Sequence, residues 1–203
     1  IDAHTPVEIA DLNKDGVLEI VISSLTGPLV LRGNDGSVYW RNMAASAGNV
    51  YPVVYDIDGD GYPEVYVTNI LGPVYGYDYI TRLSYDGKIL NQAWCWHSCW
   101  GGLSIGDTNH DGRFELYAGD RSESYSPADD IYRGGGMGLR ALDAHTLTPL
   151  WNDPSILCSS QCPMLADVDK DGILDVIVAD QGLNGIAVLN STDGSVLTTG
   201  GKN

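Results

Sequence analysis

Nine residues, Asp11-Leu12-Asn13-Lys14-Asp15-Gly16-Val17-Leu18-Glu19, set the most demanding condition on the fold, because the same pattern returns three times. It reappears as Asp56-Ile57-Asp58-Gly59-Asp60-Gly61-Tyr62-Pro63-Glu64, as Asp107-Thr108-Asn109-His110-Asp111-Gly112-Arg113-Phe114-Glu115 and as Asp167-Val168-Asp169-Lys170-Asp171-Gly172-Ile173-Leu174-Asp175. Positions 1, 3, 5 and 9 always carry a side-chain oxygen, and position 6 is always glycine. A hard cation such as calcium takes several oxygen ligands, and closing them on one point requires a sharp backbone turn. The pattern therefore predicts four calcium sites. Position 7 (Val17, Tyr62, Arg113, Ile173) is expected to offer its backbone carbonyl, and position 4 (Lys14, Gly59, His110, Lys170) to face solvent.

A single loop of this composition is also an ordinary Asp, Asn and Gly turn. Four copies with an acceptor at every ligand position are not. The helix-flanked calcium loop places its last carboxylate at position 12, where this chain has Ile22, Val67, Ala118 and Val178. The segment after each loop is instead short, β-branched and aromatic, as in Glu64-Val-Tyr-Val, which predicts a strand.

The loops begin 45, 51 and 60 residues apart, a spacing that suits a four-stranded unit with variable connections. In the first unit the strands are expected at 7–10, 19–24, 29–32 and 37–41, with the third and fourth joined through Asn34-Asp35-Gly36, a strong hairpin signal. Later units repeat the order, with Trp40, Trp94 and Trp151 near the ends of their fourth strands. The fold class implied is all-β, a β-propeller of four-stranded antiparallel blades. One propeller region spans 1–203, with blades at about 7–42, 51–96, 102–152 and 162–199. Each tryptophan is expected to pack between blades.

Charge supports this reading. The loops hold three, four, three and four acidic side chains, fourteen of the 27 in the chain, and four divalent ions would halve the net charge of −16. That balance argues against nucleic acid and anionic membrane surfaces as partners. No run of 18 apolar residues offers a membrane span. The chain starts at Ile1 without a methionine or signal sequence, which predicts a processed protein or a fragment. Cysteines fall in two pairs, Cys95/Cys99 and Cys158/Cys162. Local disulfides, cross-links between blade junctions and a zinc site remain alternatives, although the three-residue gap is unlike the usual zinc spacing. An even cysteine count beside calcium loops points to an extracellular or cell-surface location. Asn190-Ser191-Thr192 is a glycosylation acceptor pattern.

The loop, the hydrophobic strand after it and the Asp-Gly turn resemble the FG-GAP repeat family of integrin α-subunit propellers, microbial surface proteins and polysaccharide lyases. The resemblance covers almost the whole chain. The family's Phe-Gly and Gly-Ala-Pro tags are missing, with only Gly27-Pro28 and Gly72-Pro73 in comparable places, which favours a microbial-type relative. Leu142-Asp143-Ala144-His145-Thr146 also resembles a quinoprotein-type blade turn, though nothing provides for a quinone. Integrin-like propellers generally have seven blades, so the resemblance favours these four as part of a larger propeller; closure as a four-bladed one and completion by successive chains are the alternatives.

Calcium loops and Asp-Gly turns share one rim of a propeller, which leaves the other rim for recognition. The connections expected there carry Tyr75, Tyr77 and Tyr79, then Trp96 and Trp100, and then Arg121, Glu123, Tyr125, Asp129, Asp130 and Arg133. Aromatic faces with interspersed charges suit a sugar or another polar polymer; padding of the loops is the competing reading. The function expected is an adhesion or recognition module that binds a glycan or protein at the cell surface. One alternative is a lyase acting on uronate polymers, for which only His97 is placed to serve as a base; no nucleophile motif accompanies it. The other is a subunit of an extracellular filament or surface assembly.

Overall fold

β-Branched and aromatic side chains crowd the segments beside each nine-residue loop, and they pack well on a pleated, half-buried surface. A computed structural model describes residues 7–24, 26–45, 51–68, 78–95, 102–119, 138–156, 158, 162–180 and 185–200. Its strands form four sheets, each antiparallel, four-stranded and ordered as in the chain. The first holds β1 (Glu8–Ala10), β2 (Glu19–Ile22), β3 (Leu29–Arg32) and β4 (Val38–Arg41). The second holds β5 (Val53–Tyr55), β6 (Glu64–Thr68), β7 (Asp78–Leu83) and β8 (Ile89–Cys95). The third holds β9 (Leu103–Gly106), β10 (Glu115–Gly119), β11 (Leu139–Asp143) and β12 (Pro149–Asp153). The fourth holds β13 (Met164–Ala166), β14 (Asp175–Asp180), β15 (Gly185–Leu189) and β16 (Val196–Gly200). No helix occurs among the described residues.

Two compact units divide the chain, Ile1–Ser98 with the first two sheets and Cys99–Asn203 with the other two. In the first unit Val21 and Val30 pack against Val65, Val67 and Leu83, with Trp40 and Val54 partly buried at the margin. In the second unit Tyr117, Leu139 and Ala141 meet Val176, Val178, Ala187 and Leu189, flanked by Trp151 and Leu165. Each fully buried valine or leucine contributes roughly 1.5–3 kcal/mol. A truncation such as Leu83→Ala removes about 2–5 kcal/mol, because the cavity adds to the lost transfer energy.

Register repeats as closely as sequence. The third and fourth strands of every sheet slip by one residue at the same place: after Val30, Arg82, Ala141 and Val188. Such a bulge adds local twist and re-aims the side chains beyond it. It sets Trp40 opposite Val30 and Trp151 opposite Ala141. On β8 that place belongs to Asn91, opposite Arg82, and on β16 to Thr198, opposite Val188. Trp94 is therefore not the equivalent of the other two tryptophans: β7 starts at Asp78, the ladder is longer, and Trp94 falls opposite Tyr79.

Candidate metal centres

Each nine-residue loop joins the first two strands of a sheet and folds by the same hydrogen bonds. The position 6 glycine N–H donates to the position 1 aspartate at 2.7–3.1 Å, from Gly16 to Asp11, Gly61 to Asp56, Gly112 to Asp107 and Gly172 to Asp167. Position 5 N–H donates to the position 3 side chain: Asp15 to Asn13, Asp60 to Asp58, Asp111 to Asn109, Asp171 to Asp169. Position 7 N–H donates to the position 5 carboxylate, as from Val17 to Asp15, Tyr62 to Asp60, Arg113 to Asp111 and Ile173 to Asp171. The loop then closes across its mouth, where the position 2 N–H donates to the position 9 carboxylate: Leu12 to Glu19, Ile57 to Glu64, Thr108 to Glu115, Val168 to Asp175. Backbone donors thus pin every side-chain ligand in a turn whose glycine sits at a φ of +83 to +93°, a conformation costly for other residues.

Position 4 is also left-handed, at Lys14, His110 and Lys170 as well as Gly59. All four, Lys14, Gly59, His110 and Lys170, are exposed, as expected. Lys14 does more: its ammonium donates to the Asp60 carbonyl of the next loop and lies 4.0 Å from the centre of the Tyr62 ring. Tyr62 in turn stacks at a tilt on Tyr85, with ring centres 4.6 Å apart. This cation–π clasp ties the first two loops together within one unit.

Do these residues suit a cation? Asp56, Asp58 and Asp60 each bring an oxygen within 4.8 Å of the others, as do Asp167, Asp169 and Asp175. Asp56 Oδ1 is buried with no hydrogen-bond partner, a state that costs free energy unless a cation meets the oxygen. The position 9 carboxylates of all four loops are buried. Burial pushes the Glu19 carboxyl above the usual carboxylate range against the opposing Leu12 N–H, and the charges of Asp15 and Asp11 reinforce the rise. The donor set fits a hard divalent ion. The loops differ in detail. Asn13 and Asn109 donate to Asp15 and Asp111, whereas the second and fourth loops have aspartate at that position. Glu64 is engaged by a guanidinium, that of Arg82 at 2.5 Å, both side chains being buried.

In every sheet the loop and the hairpin turn lie at the same end, since Glu19 pairs with Arg32, where β3 runs into its turn. A cleft of about 290 Å³ opens there in the second unit, lined by Asn109, Asp111, Arg113, Asp143 and Thr192. Nothing in the linear pattern announced it, because Thr192 belongs to a turn remote in sequence. Of the residues expected at the other rim, Tyr79 lies on β7 and is partly buried. Tyr75, Tyr77, Trp96, His97, Trp100, Arg121, Glu123, Tyr125, Asp129, Asp130 and Arg133 lie outside the described residues. Cys95 and Cys158 are buried and Cys162 is partly exposed, with no disulfide bond among them; Cys99 lies outside the described residues. Asn190 opens the last turn, its amide oxygen accepting from the Thr192 N–H and hydroxyl.

Residues 11–67 match the FG-GAP-like repeat family. They contain the first two loops and most of the first unit's core. No curated protein matches the chain. Among solved structures, a quinohemoprotein alcohol dehydrogenase, ADHIIG from Pseudomonas putida HK5, superimposes with a TM-score of 0.64 at 14% identity, over 92% of this chain and 33% of its own. A lectin of Agrocybe aegerita, solved for its recognition of non-reducing terminal N-acetylglucosamine, aligns with a TM-score of 0.47 at 17% identity, over 96% of this chain and 51% of its own. The chain thus spans about a third of the length of the first and half of the second. The likeness to the dehydrogenase shows the fold: the four sheets are blades of the β-propeller type.

Proposed function

We propose that this chain is a calcium-stabilised propeller region that serves outside the cell as a recognition or structural module. The observation that carries the reading is the fourfold recurrence of one hydrogen-bonded cage, with backbone donors holding each carboxylate in place and the position 9 carboxylates buried. FG-GAP repeats generally bind calcium, and the matched segment includes two of these loops. Asp11, Asn13, Asp15 and Glu19, with their counterparts in the other three loops, hold the ions. Binding neutralises carboxylates that otherwise repel one another and locks the first two strands of each blade. Calcium here supplies charge and coordination, and no chemical step is assigned to it.

Recognition is proposed for the connections rich in tyrosine, tryptophan and arginine, which the sequence pattern separates from the nine-residue loops. A glycan or protein surface is the ligand class that such side chains suit. Glycan and protein arrays probed in saturating calcium test this, with Tyr77→Ala and Trp100→Ala abolishing capture while the calcium-dependent melting temperature is kept. Absence of binding to any glycan or protein contradicts recognition and leaves the structural role. Cys158 and Cys162 are not bridged in this structure; local disulfides Cys95–Cys99 and Cys158–Cys162 are proposed to form on oxidation outside the cell, and free thiols by mass spectrometry in the secreted protein contradict that proposal.

A further inference from the structure

The two units fill one corner differently. In the first, the Trp40 indole donates to the Tyr85 carbonyl at 2.8 Å, and in the second the Trp151 indole donates to the Ser191 carbonyl at 2.6 Å. Tyr85 and Ser191 are therefore counterparts, and so are Tyr39 and Leu150, which precede the two tryptophans on β4 and β12. Both tyrosines are partly buried against the first unit's core. The Tyr39 hydroxyl is hydrogen-bonded with Asn13 of the first loop, and the Tyr85 ring stacks on Tyr62. Two aromatic rings thus close the corner between the first loop and the hairpin turn of the following blade. The second unit has leucine and serine in their places, and there the cleft of about 290 Å³ opens.

The walls of that cleft define its chemistry. Asn109, the counterpart of Asn13, lines it. Ser191 lines it too; this residue is buried, and among the described residues its hydroxyl oxygen has no hydrogen-bond partner, a state that costs free energy until one arrives. The Ser191 carbonyl is already taken by the Trp151 indole and the Tyr117 hydroxyl, so the side chain is what remains for an occupant. Asp143 stands opposite Glu115, where the first sheet sets Arg32 opposite Glu19. Carboxylates so placed repel an anion and accept hydrogen bonds from a ligand rich in hydroxyls. Arg113 brings a cationic donor for ether and hydroxyl oxygens. Leu150, 53% exposed, is the one apolar side chain among the described lining residues. It suits a single C–H face and is too little for an aromatic ring.

We propose that the cleft between the third and fourth sheets, walled by Asn109, Arg113, Asp143, Ser191 and Thr192, binds one neutral, polyhydroxylated six-membered ring, the chemistry of a pyranose sugar. The ring takes the place that tyrosine rings fill in the first unit, and the position 3 asparagine meets a ligand hydroxyl as Asn13 meets that of Tyr39. Hydroxyls donate to Asp143 and accept from Arg113, and the Ser191 side chain gains the partner it lacks. Asp111 and Glu115 stay with the ion assigned to the third loop. The cleft is a place apart from the aromatic connections assigned to recognition above, and neither site requires the other.

The test titrates the intact chain in saturating calcium with the methyl glycosides of glucose, galactose and mannose, and with glucuronate and N-acetyltyrosinamide as probes of other chemistry, read by amide chemical shifts. At least one neutral glycoside is expected to bind, with the largest shifts at Asn109, Ser191 and Thr192. Leu150→Tyr with Ser191→Tyr installs the first unit's own fillers and is expected to abolish those shifts. Arg113→Met leaves the backbone of the loop in place and is expected to weaken binding about tenfold. Tyr77→Ala is expected to change nothing, which separates this site from the aromatic connections. Retained affinity for a trisaccharide ending in the same ring assigns the source as a glycan chain end, and its loss assigns a free sugar. The proposal is overturned if none of the three glycosides shifts these amides, or if Arg113→Met binds as the parent does. Tighter binding of glucuronate or N-acetyltyrosinamide than of any glycoside overturns it as well, giving the cleft to an anion or to a tyrosine of a protein partner.

Discussion

The Trp151 indole and Gly194 occupy one volume between the third and fourth sheets, since any Cβ on Gly194 would enter the indole ring. The glycine is thus required twice over, for its φ of +76° and for the space it leaves. Gly172, at φ +93°, has nothing within 4 Å of its Cβ position and is required for conformation alone. Gly172→Ala is expected to cost about 1–2 kcal/mol, and Gly194→Ala is expected to exceed it by roughly 1–3 kcal/mol of overpacking. In a Trp151→Phe background the excess shrinks, and urea unfolding of the four proteins measures the coupling.

The buried Arg82–Glu64 pair gives a second prediction. Arg82→Met leaves the Glu64 carboxylate without its guanidinium and is expected to cost about 3–5 kcal/mol in metal-free buffer. Adding Glu64→Gln removes the stranded charge and recovers part of the loss. Calcium offsets the loss in Arg82→Met alone, because the ion supplies the missing positive charge. A loss that calcium leaves unchanged would place the second loop's ion away from Glu64.

Tyr117 sets an alkaline limit. It is fully buried, and burial pushes its phenol up to about 12, while hydrogen bonding with Thr108 and Ser191 and the neighbouring Glu115 charge act as smaller influences. A folded pKa above the unfolded value of 10 means that the stabilisation is complete below pH 10 and is lost as pH rises from there to about 12. The loss amounts to roughly 2–3 kcal/mol. Tyr117→Phe removes this pH dependence at some cost to stability at neutral pH, and melting temperatures between pH 8 and 12 read it directly.

Much of this architecture is legible in the sequence because its period is strong. Gly16, Gly61, Gly112 and Gly172 mark the left-handed step of each loop, and the β-branched runs after them mark second strands. The third and fourth strands are signalled by turns such as Asn34-Asp35-Gly36. What escapes is long-range. Trp94 reads like Trp40, yet the bulge and the longer β7–β8 ladder carry it to a different register. Lys14 is exposed like its counterparts in the other loops, yet Tyr62 and the Asp60 carbonyl of the next loop also engage it. Arg82 is one arginine among several until Glu64 is seen beside it. Each case depends on a partner more than fifteen residues away or on a register set by the whole ladder, which no local pattern encodes.

The central claim is that the four loops hold calcium and that calcium holds the blades. Thermal unfolding of the intact chain, monitored by circular dichroism in millimolar calcium and again after exhaustive chelation, tests it most directly. The melting temperature is expected to be at least about 10 °C higher with calcium, consistent with several kcal/mol of linked binding in a chain of this size. Asp11→Asn, Asp56→Asn, Asp107→Asn and Asp167→Asn together are expected to erase the difference. Identical melting curves with calcium and with chelator would contradict it.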